Sequence, residues 1–236
     1  VADALRHNCH KMIIGLGGSA TSDAGIGMLR ALIDTFAPED HFNAIRPLFD
    51  NCEVILASDV TNPLYGINGA AHVFAKQKGA TSSMIEALDA RAKQFALHTK
   101  KAMGFDKSMQ PGAGAAGGLG YAFMQFLNAE MQSGAELLLH LLQFDKLLAH
   151  ADIVITGEGK SDCQTLMGKL PAVIMQHARQ HHLPTLLLSG QIEDNDSLIT
   201  AEFKAACAVT PSNMPLEEAM IPEKAKANIR DFPLPI

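Results

Sequence analysis

Residues 151–189 read ADIVITGEGKSDCQTLMGKLPAVIMQHARQHHLPTLLLS. The apolar run 152–156 predicts a buried strand, and the apolar spacing of 171–181 predicts a helix. A second apolar run at 185–189 predicts another strand, and the stretch between the first strand and the helix is polar. Strand, loop, helix and strand in this order predict an α/β fold.

The same alternation continues on both sides of this segment. Apolar runs predict further strands at 11–15, 53–58 and 205–209. Helical periodicity predicts helices at 22–34, 68–76, 82–103, 115–128, 135–149 and 216–229. Two adjacent helices give way to strand–helix alternation near residue 150. We therefore expect two domains, 1–150 with the glycine-rich loops and 151–236.

Composition excludes several classes of protein. The 236 residues carry a net charge of −6 and contain no run of Lys or Arg, which argues against nucleic acid or an anionic membrane as a partner. The longest uncharged run, 108–129, contains five glycines and is a poor membrane span. The four cysteines lie far apart without zinc-finger or disulfide-framework spacing, which favours a reducing, cytoplasmic location.

The first polar segment, GLGGSATSDAG at 15–25, follows a predicted strand and precedes a helix. Glycines there let backbone amides approach an anion, and the helix start adds its dipole. A tight turn with Ser22 or Asp23 as helix cap is the plain alternative. The turn from Gly15 to Ala20 also fits the GxGxxA form of a nicotinamide fingerprint, but Asp34, at the right distance, does not end a strand.

The second and third segments are less specific. Asp59 follows a strand, where a metal-binding or basic carboxylate is often found, whereas Asn62 before Pro63 is also an ordinary turn. The third segment, GAGAAGGLG at 112–120, has more glycine than a helix favours. Close helix packing and a ligand loop explain it equally well.

The fourth segment, from Thr156 to Pro171, concentrates two acids, two lysines and several hydroxyl and amide groups. It is not a Walker A loop. Carboxylates beside lysine are nevertheless what phosphoryl transfer requires. A solvated loop with a helix cap is the alternative. His177 and His181 are spaced to share a metal, but their polar neighbours favour a solvated helix face.

Together these segments resemble the class I glycerate kinase family. The resemblance is carried by GLGGSATSDAGIGML (15–29), SDVTNPLYGINGAAHVFAKQKGA (58–80), GAGAAGGLGYA (112–122), DIVITGEGKSDCQTLMGKLP (152–171) and TPSNMPLEEAM (210–220). It implies two α/β domains, one inserted into a Rossmann-like other. The chain begins at Val1 without an initiator methionine, and the family's N-terminal aspartate-serine-lysine loop is not found, so we expect the first strands of the Rossmann-like domain to be missing.

The resemblance also implies a reaction. The γ-phosphoryl group of ATP would pass to D-glycerate with Mg²⁺, giving 2-phosphoglycerate, with the 3-phosphate left open. Small molecules would be the partners, and a homo-oligomer is left open. Asp162 would orient or deprotonate the hydroxyl, and Asp59 or Glu158 would bind Mg²⁺. The residues expected at the site are catalytic Asp162, Lys169 and Glu158, and substrate-binding or phosphate-binding Gly17, Gly18, Ser19, Thr21, Asp23, Asn62, Lys78, Gln164 and Thr165.

Three points stay open at this stage. None of the six arginines lies in the four polar segments, so no bidentate clamp for the glycerate carboxylate is visible. A nicotinamide-dependent oxidoreductase that uses the turn from Gly15 to Ala20 is one alternative function. A fragment of the kinase that folds without activity is the other.

Overall fold

The computed structural model describes residues 1–37, 45–166 and 168–235, without the side chain of Thr200. The chain divides into two compact units, Val1–Gly134 (the first unit) and Ala135–Ile236 (the second unit). Each has its own parallel three-stranded sheet with helices, which confirms the α/β class. Among the described helices, none is both long enough and apolar enough to cross a bilayer.

In the first unit the strand order is β1-β2-β3. The strands are β1 (Lys11–Gly15), β2 (Glu53–Ala57) and β3 (Glu130–Gln132), and the helices are α1 (Ala2–Arg6), α2 (Ile26–Phe36), α3 (Ala70–Phe74), α4 (Ser82–Met103) and α5 (Ala115–Phe126). Short 3₁₀ turns lie at Arg46–Phe49 and Lys76–Lys78. The core of this unit centres on Leu56, Leu64 and Tyr121, each at most 1% exposed.

Helix α4 shows how local sequence sets its ends. Thr81 caps its start by accepting a hydrogen bond from the Met84 amide at 3.4 Å, and Gly104 ends it with a left-handed conformation. The expected bounds, 82–103, are those observed. Helix α5 is interrupted instead, because Ala116, Gly117 and Gly118 have positive φ angles.

In the second unit the strand order is β4-β5-β6. The elements are α6 (Gly134–Leu141, starting at the boundary), α7 (Phe144–Leu148), β4 (Val154–Ser161), a 3₁₀ turn (Cys163–Leu166), α8 (Leu170–Gln180), β5 (Thr185–Ile192), α9 (Asn195–Thr200), β6 (Ala205–Ala208), α10 (Leu216–Ala219) and α11 (Pro222–Asp231). Strand β4 runs farther than the expected 152–156, so Glu158 and Lys160 lie on a strand rather than in a loop.

The division of the chain falls at Gly134, earlier than the boundary that the sequence suggests near 150. Packing explains the difference, because Ala135 and Leu139 of α6 bury against Val173 of α8. Leu148 of α7 likewise packs with Val154 and Ala178. The two helices before residue 150 therefore pack with the elements of the second unit. The assignment of the units to an inserted and a Rossmann-like domain stays a prediction.

Candidate active site

The first three polar segments meet in the first unit. Strands β1 and β2 are parallel, so the segments that follow them leave the same edge of the sheet. The Ala24 amide donates a hydrogen bond to the Gly117 carbonyl at 3.0 Å. The Gly114 amide donates to the Asn62 carbonyl at 2.8 Å. The loop after β1 therefore contacts the third segment, which also contacts the loop after β2.

Glycine at two positions makes this approach possible. Gly117 has φ +70°, and a Cβ there would overlap the carbonyl oxygen of Thr21. Gly118 has φ +94°, and a Cβ there would overlap the backbone of Ala24 and the side chain of Leu64. Only glycine combines this conformation with such close contact. The contacts therefore support close packing, rather than a ligand loop, as the reason for the glycines of the third segment.

Lys78 faces the glycine loop, the segment 16–25 between β1 and α2. Its Nζ donates hydrogen bonds to Ser19 Oγ at 2.7 Å and to the Thr21 carbonyl at 2.6 Å. Burial lowers the pKa of the Lys78 ammonium, because desolvation disfavours its charge. A bound anion would stabilise the ammonium charge and so offset its loss of hydration.

A cavity of about 430 Å³ lies beside this lysine. Gly17, Gly18 and Ser19 form one part of its wall, and Lys78 forms another. Its other lining residues are Leu16, Val60, Phe74, Gln77, Ala116 and Gly117. Exposed glycine backbone, a hydroxyl and an ammonium group around one space are suited to a small anion.

Three further expected site residues in the first unit also make hydrogen bonds. Asp23 caps α2, since its carboxylate accepts from the Gly25 amide at 3.0 Å and from the Gly27 amide at 2.9 Å. Asp59 Oδ1 accepts from Ser133 Oγ at 3.0 Å and from the Gly134 amide at 2.9 Å. The Asn62 side-chain amide donates to the Asn68 carbonyl at 2.8 Å. These contacts fix the loops that border the cavity.

In the second unit Glu158 is the centre of a hydroxyl network. Its Oε1 accepts from Ser161 Oγ at 2.9 Å and from Thr165 Oγ1 at 2.6 Å. The hydroxyls of Ser161 and Ser189 are hydrogen-bonded to each other. Lys169 Nζ lies 3.9 Å from the other carboxylate oxygen, Oε2. Glu158 is thus held in place on one side and faces a lysine on the other.

Asp162 begins the 3₁₀ turn Cys163–Leu166. Its Oδ1 accepts from the Gln164 amide at 2.8 Å, and its own amide donates to Thr165 Oγ1 at 3.0 Å. Thr165 is fully buried, whereas Gln164 is exposed. Asp162 therefore caps this turn in the structure. A helix cap in this segment is the alternative to phosphoryl-transfer chemistry that the sequence allows. Met167 of the same segment lies outside the described residues.

The expected site residues thus fall into two groups. The first unit holds Gly17, Gly18, Ser19, Thr21, Asp23, Asp59, Asn62 and Lys78, and the second holds Glu158, Asp162, Gln164, Thr165 and Lys169. Sequence reasoning missed Ser161 and Ser189 as partners in the Glu158 network. It also missed Ser133 as a partner of Asp59. No local signal identifies Ser189 or Ser133, because Ser189 is 28 residues from Ser161 and Ser133 is 74 residues from Asp59 along the chain.

The carboxylates of this chain suit Mg²⁺ only if substrate phosphates supply further ligands. Within the described residues, no group of three or more His, Cys, Asp and Glu side chains could hold a metal. Mg²⁺ in phosphoryl-transfer sites is commonly bound by one or two carboxylates together with substrate phosphates. Asp59 Oδ2 and Glu158 Oε2 lie outside the hydrogen bonds described above. Each of the two, within its own unit, is thus suited to such a partial site rather than to a protein cage.

The fold and this geometry define an α/β protein with a lysine-lined cavity at the end of a parallel sheet. The sequence matches the glycerate kinase family over residues 1–233. The chain belongs to the glycerate kinase family.

Individual relatives agree with this assignment. The chain is 37% identical to the glycerate 2-kinase of Escherichia coli K12 and 35% identical to the glycerate kinase of Bacillus subtilis 168. Each alignment covers 93% of this chain and 62% of the relative. The chain thus spans less than two thirds of the length of these curated relatives.

A solved structure gives the same result. A crystal structure of a Salmonella typhimurium LT2 protein, assigned as glycerate kinase 2, superposes with a TM-score of 0.72 at 33% identity. The superposition covers 97% of this chain and 64% of that one. The α/β fold is therefore that of a solved member of the family.

Proposed function

We propose that this protein is an ATP-dependent glycerate kinase. It transfers the γ-phosphoryl group of ATP to the 2-hydroxyl of D-glycerate and releases ADP and 2-phosphoglycerate. Membership of the glycerate kinase family supports the kinase class and the substrate. The name of the Escherichia coli relative, glycerate 2-kinase, supports phosphorylation at the 2-position.

The observation that carries the proposal is the position of Lys78. A partly desolvated ammonium group is held against the glycine loop by Ser19 and Thr21, beside a cavity of about 430 Å³. A charge kept out of bulk water interacts more strongly with an anion than an exposed one does. We assign Lys78 and the Gly17–Ser19 backbone to binding an anionic group of the substrates, phosphate or carboxylate.

The reaction places two demands on the remaining residues. The glycerate hydroxyl oxygen forms a bond to the γ-phosphorus while the bond to the β,γ-bridging oxygen breaks, and the hydroxyl proton must leave. We assign the proton to the carboxylate of Asp162. We assign Lys169, near Glu158, to the negative charge that spreads over the phosphoryl oxygens.

Mg²⁺ would be bound by Asp59 or Glu158 together with nucleotide phosphates. When bound, the ion neutralises phosphate charge and orients the oxygens of the transferred group. Glu158 suits this role, because Ser161 and Thr165 fix one carboxylate oxygen and leave the other facing Lys169.

The test is ADP release by the protein expressed from its complete reading frame, measured with ATP, Mg²⁺ and a series of small hydroxy acids. We expect turnover with D-glycerate. The variant Lys78→Met should lower kcat/KM by roughly 10²–10³-fold, as for loss of one positioned donor to a charged transition state. Lys76→Met is the matched control, because Lys76 is exposed in the same 3₁₀ turn and should retain full activity.

Turnover of another acid and none of glycerate would overturn the substrate assignment. Equal losses in the two lysine variants would overturn the role of Lys78. Phosphorus NMR of the product separates 2-phosphoglycerate from the 3-phosphate, because the ester sits on a different carbon in each. The reducing, cytoplasmic location also remains our proposal, and it fits four cysteines that are all free thiols.

A further inference from the structure

A second cavity of the first unit, of about 230 Å³, lies between the start of α2 and one face of α4. Ser22, Asp23, Ala24 and Ile26 line it on one side. Leu88, Arg91, Ala92, Gln94, Phe95 and His98 of α4 line it on the other. None of these residues lines the cavity beside Lys78. The loop between β1 and α2 thus borders two separate cavities.

The floor of this second cavity is apolar and firmly anchored. Leu88, Ala92 and Phe95 are half-buried, at spacings that place them on one face of α4. Phe95 stacks on Phe126 with ring centroids 5.7 Å apart and meets Tyr121 edge to face at 5.9 Å. This floor can therefore hold a short aliphatic group without itself being rearranged.

The polar groups around the cavity have unused hydrogen-bonding capacity. Arg91 is exposed and makes no ion pair or hydrogen bond to any residue that the structure describes. Ser22 Oγ is buried and has no hydrogen-bond partner among the described residues. Asp23 accepts two backbone amides, whereas a carboxylate offers about four lone-pair positions. His98 uses Nδ1 to donate to the Gln94 carbonyl at 2.9 Å, so Nε2 lies outside that bond.

From this arrangement we propose that the second cavity binds a small 2-hydroxycarboxylate with a short aliphatic side chain. The Arg91 guanidinium pairs with the ligand carboxylate, a geometry that suits a planar fork. The ligand hydroxyl donates to the Asp23 carboxylate, and the aliphatic group packs on Leu88 and Phe95. The volume corresponds to about eight water molecules, and therefore to a ligand of roughly seven to ten non-hydrogen atoms.

Occupancy of this site would act on the glycine loop. Ser22 and Asp23 directly follow Thr21, whose carbonyl accepts the hydrogen bond from Lys78 at 2.6 Å. A ligand that holds Ser22 and Asp23 in place therefore also affects the position of Thr21, whose carbonyl accepts the hydrogen bond from Lys78. Binding in the two cavities is then coupled, and the coupling is reciprocal by thermodynamic necessity.

The test is calorimetric titration without nucleotide, so it does not depend on the proposed activity. The probes are 2-hydroxyisovalerate, isovalerate and inorganic phosphate at millimolar concentration. We expect 2-hydroxyisovalerate to bind the unmodified protein, and isovalerate to bind several-fold more weakly because it lacks the donor to Asp23. Phosphate can pair with Arg91 but offers nothing to the apolar floor, so it should bind this site more weakly than 2-hydroxyisovalerate does.

Two variants locate the binding. Arg91→Gln should weaken 2-hydroxyisovalerate by roughly 10- to 100-fold, as for loss of a charge-assisted hydrogen-bond pair. Lys78→Met should change the affinity less than Arg91→Gln does, because it alters only the coupled loop, and Arg91→Lys should fall between Gln and the unmodified protein. An unchanged melting temperature of Arg91→Gln is expected, because the side chain is exposed and unpartnered among the described residues.

Three outcomes would overturn the proposal. The first is no heat of binding for 2-hydroxyisovalerate, and the second is equal affinity in Arg91→Gln. The third is loss of binding in Lys78→Met alone, which would place the ligand in the cavity beside the glycine loop.

Discussion

Asp162 combines a structural contact with the proposed chemistry, and one substitution separates the two. Asp162→Asn keeps an oxygen that can accept the hydrogen bond from the Gln164 amide, 2.8 Å away in the structure. It removes the charge and the ability to take a proton. We expect kcat to fall by roughly 10²–10⁴-fold, the usual range for a general base. The melting temperature should change little, since Asn and Asp cap equally well.

The same measurement distinguishes the other roles of Asp162. If it binds Mg²⁺, kcat of the variant should partly recover at high Mg²⁺ concentration. If it only caps the 3₁₀ turn, kcat should stay near that of the unmodified enzyme, which would remove Asp162 from the mechanism. Kinetics at two Mg²⁺ concentrations beside a melting curve separate these outcomes.

Thr165 is the residue on which the Glu158 network most depends. It is fully buried, donates to Glu158 Oε1 at 2.6 Å and accepts from the Asp162 amide at 3.0 Å. Thr165→Val preserves shape but removes both hydrogen bonds. It should lower the free energy of unfolding by about 1–3 kcal/mol, the cost of unsatisfied buried polar groups. Chemical denaturation measures this, with Thr165→Ser as the control that keeps the hydroxyl and should lose less.

At the scale of elements, the contact between α5 and the glycine loop is the most sensitive to substitution. Gly117→Ala adds a Cβ that overlaps the Thr21 carbonyl, in a backbone with φ +70°. We expect a loss of about 2 kcal/mol or more in the free energy of unfolding, from the left-handed strain and the overlap together. The matched control is Gly15→Ala, since nothing lies within 4 Å of a Cβ there and its φ is ordinary. Equal stability of the two variants would contradict this account.

The elements predicted best from sequence are those whose ends have local causes. Helix α4 has a Thr81 cap and a Gly104 stop, and its bounds agree with the expectation. The expected helix 135–149 is two helices, because Gln143 has a left-handed conformation between them. The expected helix 216–229 is likewise two, since Pro222 starts a new one. Strand β3 was missed because three mixed residues, Glu130–Gln132, form no apolar run.

The candidate site follows the same rule. The four segments could be found from glycine, carboxylate and lysine patterns along the sequence. Their partners could not, because Lys78 reaches Ser19 across 59 residues of sequence and Ser161 meets Ser189 only through the pairing of β4 with β5. Such contacts depend on sheet register and packing, which leave no local signal.

For the molecule as a whole, we expect the change in stability with pH near neutrality to come mainly from one side chain. Histidine is the side chain whose ordinary pKa lies near neutrality. Among the described histidines, His177 is the one whose pKa is shifted. Its Nδ1 faces Asp145 of α7 at 2.9 Å and its Nε2 faces Glu136 of α6 at 3.0 Å. His181, the residue directly after α8, also lies 3.4 Å from Asp145. Both ring nitrogens can donate only in the imidazolium form, so this geometry selects the charged histidine.

The sign of the pH dependence follows from the direction of each shift. The hydrogen bond to Asp145 raises the pKa of His177 above 6.5, burial opposes the rise, and Glu136 adds to it. The contribution of His177 to stability is therefore fully present below pH 6.5 and is lost as the pH rises through the higher folded pKa. The hydrogen bond to His177 lowers the pKa of Asp145 below 3.8, so that contribution is lost only as the pH falls below this value.

We therefore expect the free energy of unfolding to decline from pH 6 to pH 8.5, by about 1 kcal/mol for partly exposed pairs of this kind. His177→Gln should remove most of this decline, because glutamine cannot acquire the charge that binds α6 and α7 to α8. His150→Gln is the matched control, since His150 is exposed and makes no ion pair or hydrogen bond with its side chain to any described residue. Denaturant unfolding of the three proteins at several pH values measures the effect. A decline that persists unchanged in His177→Gln would mean that another group controls stability in this pH range. The contacts of His177 with Asp145 and Glu136 would then contribute nothing measurable to the free energy of unfolding.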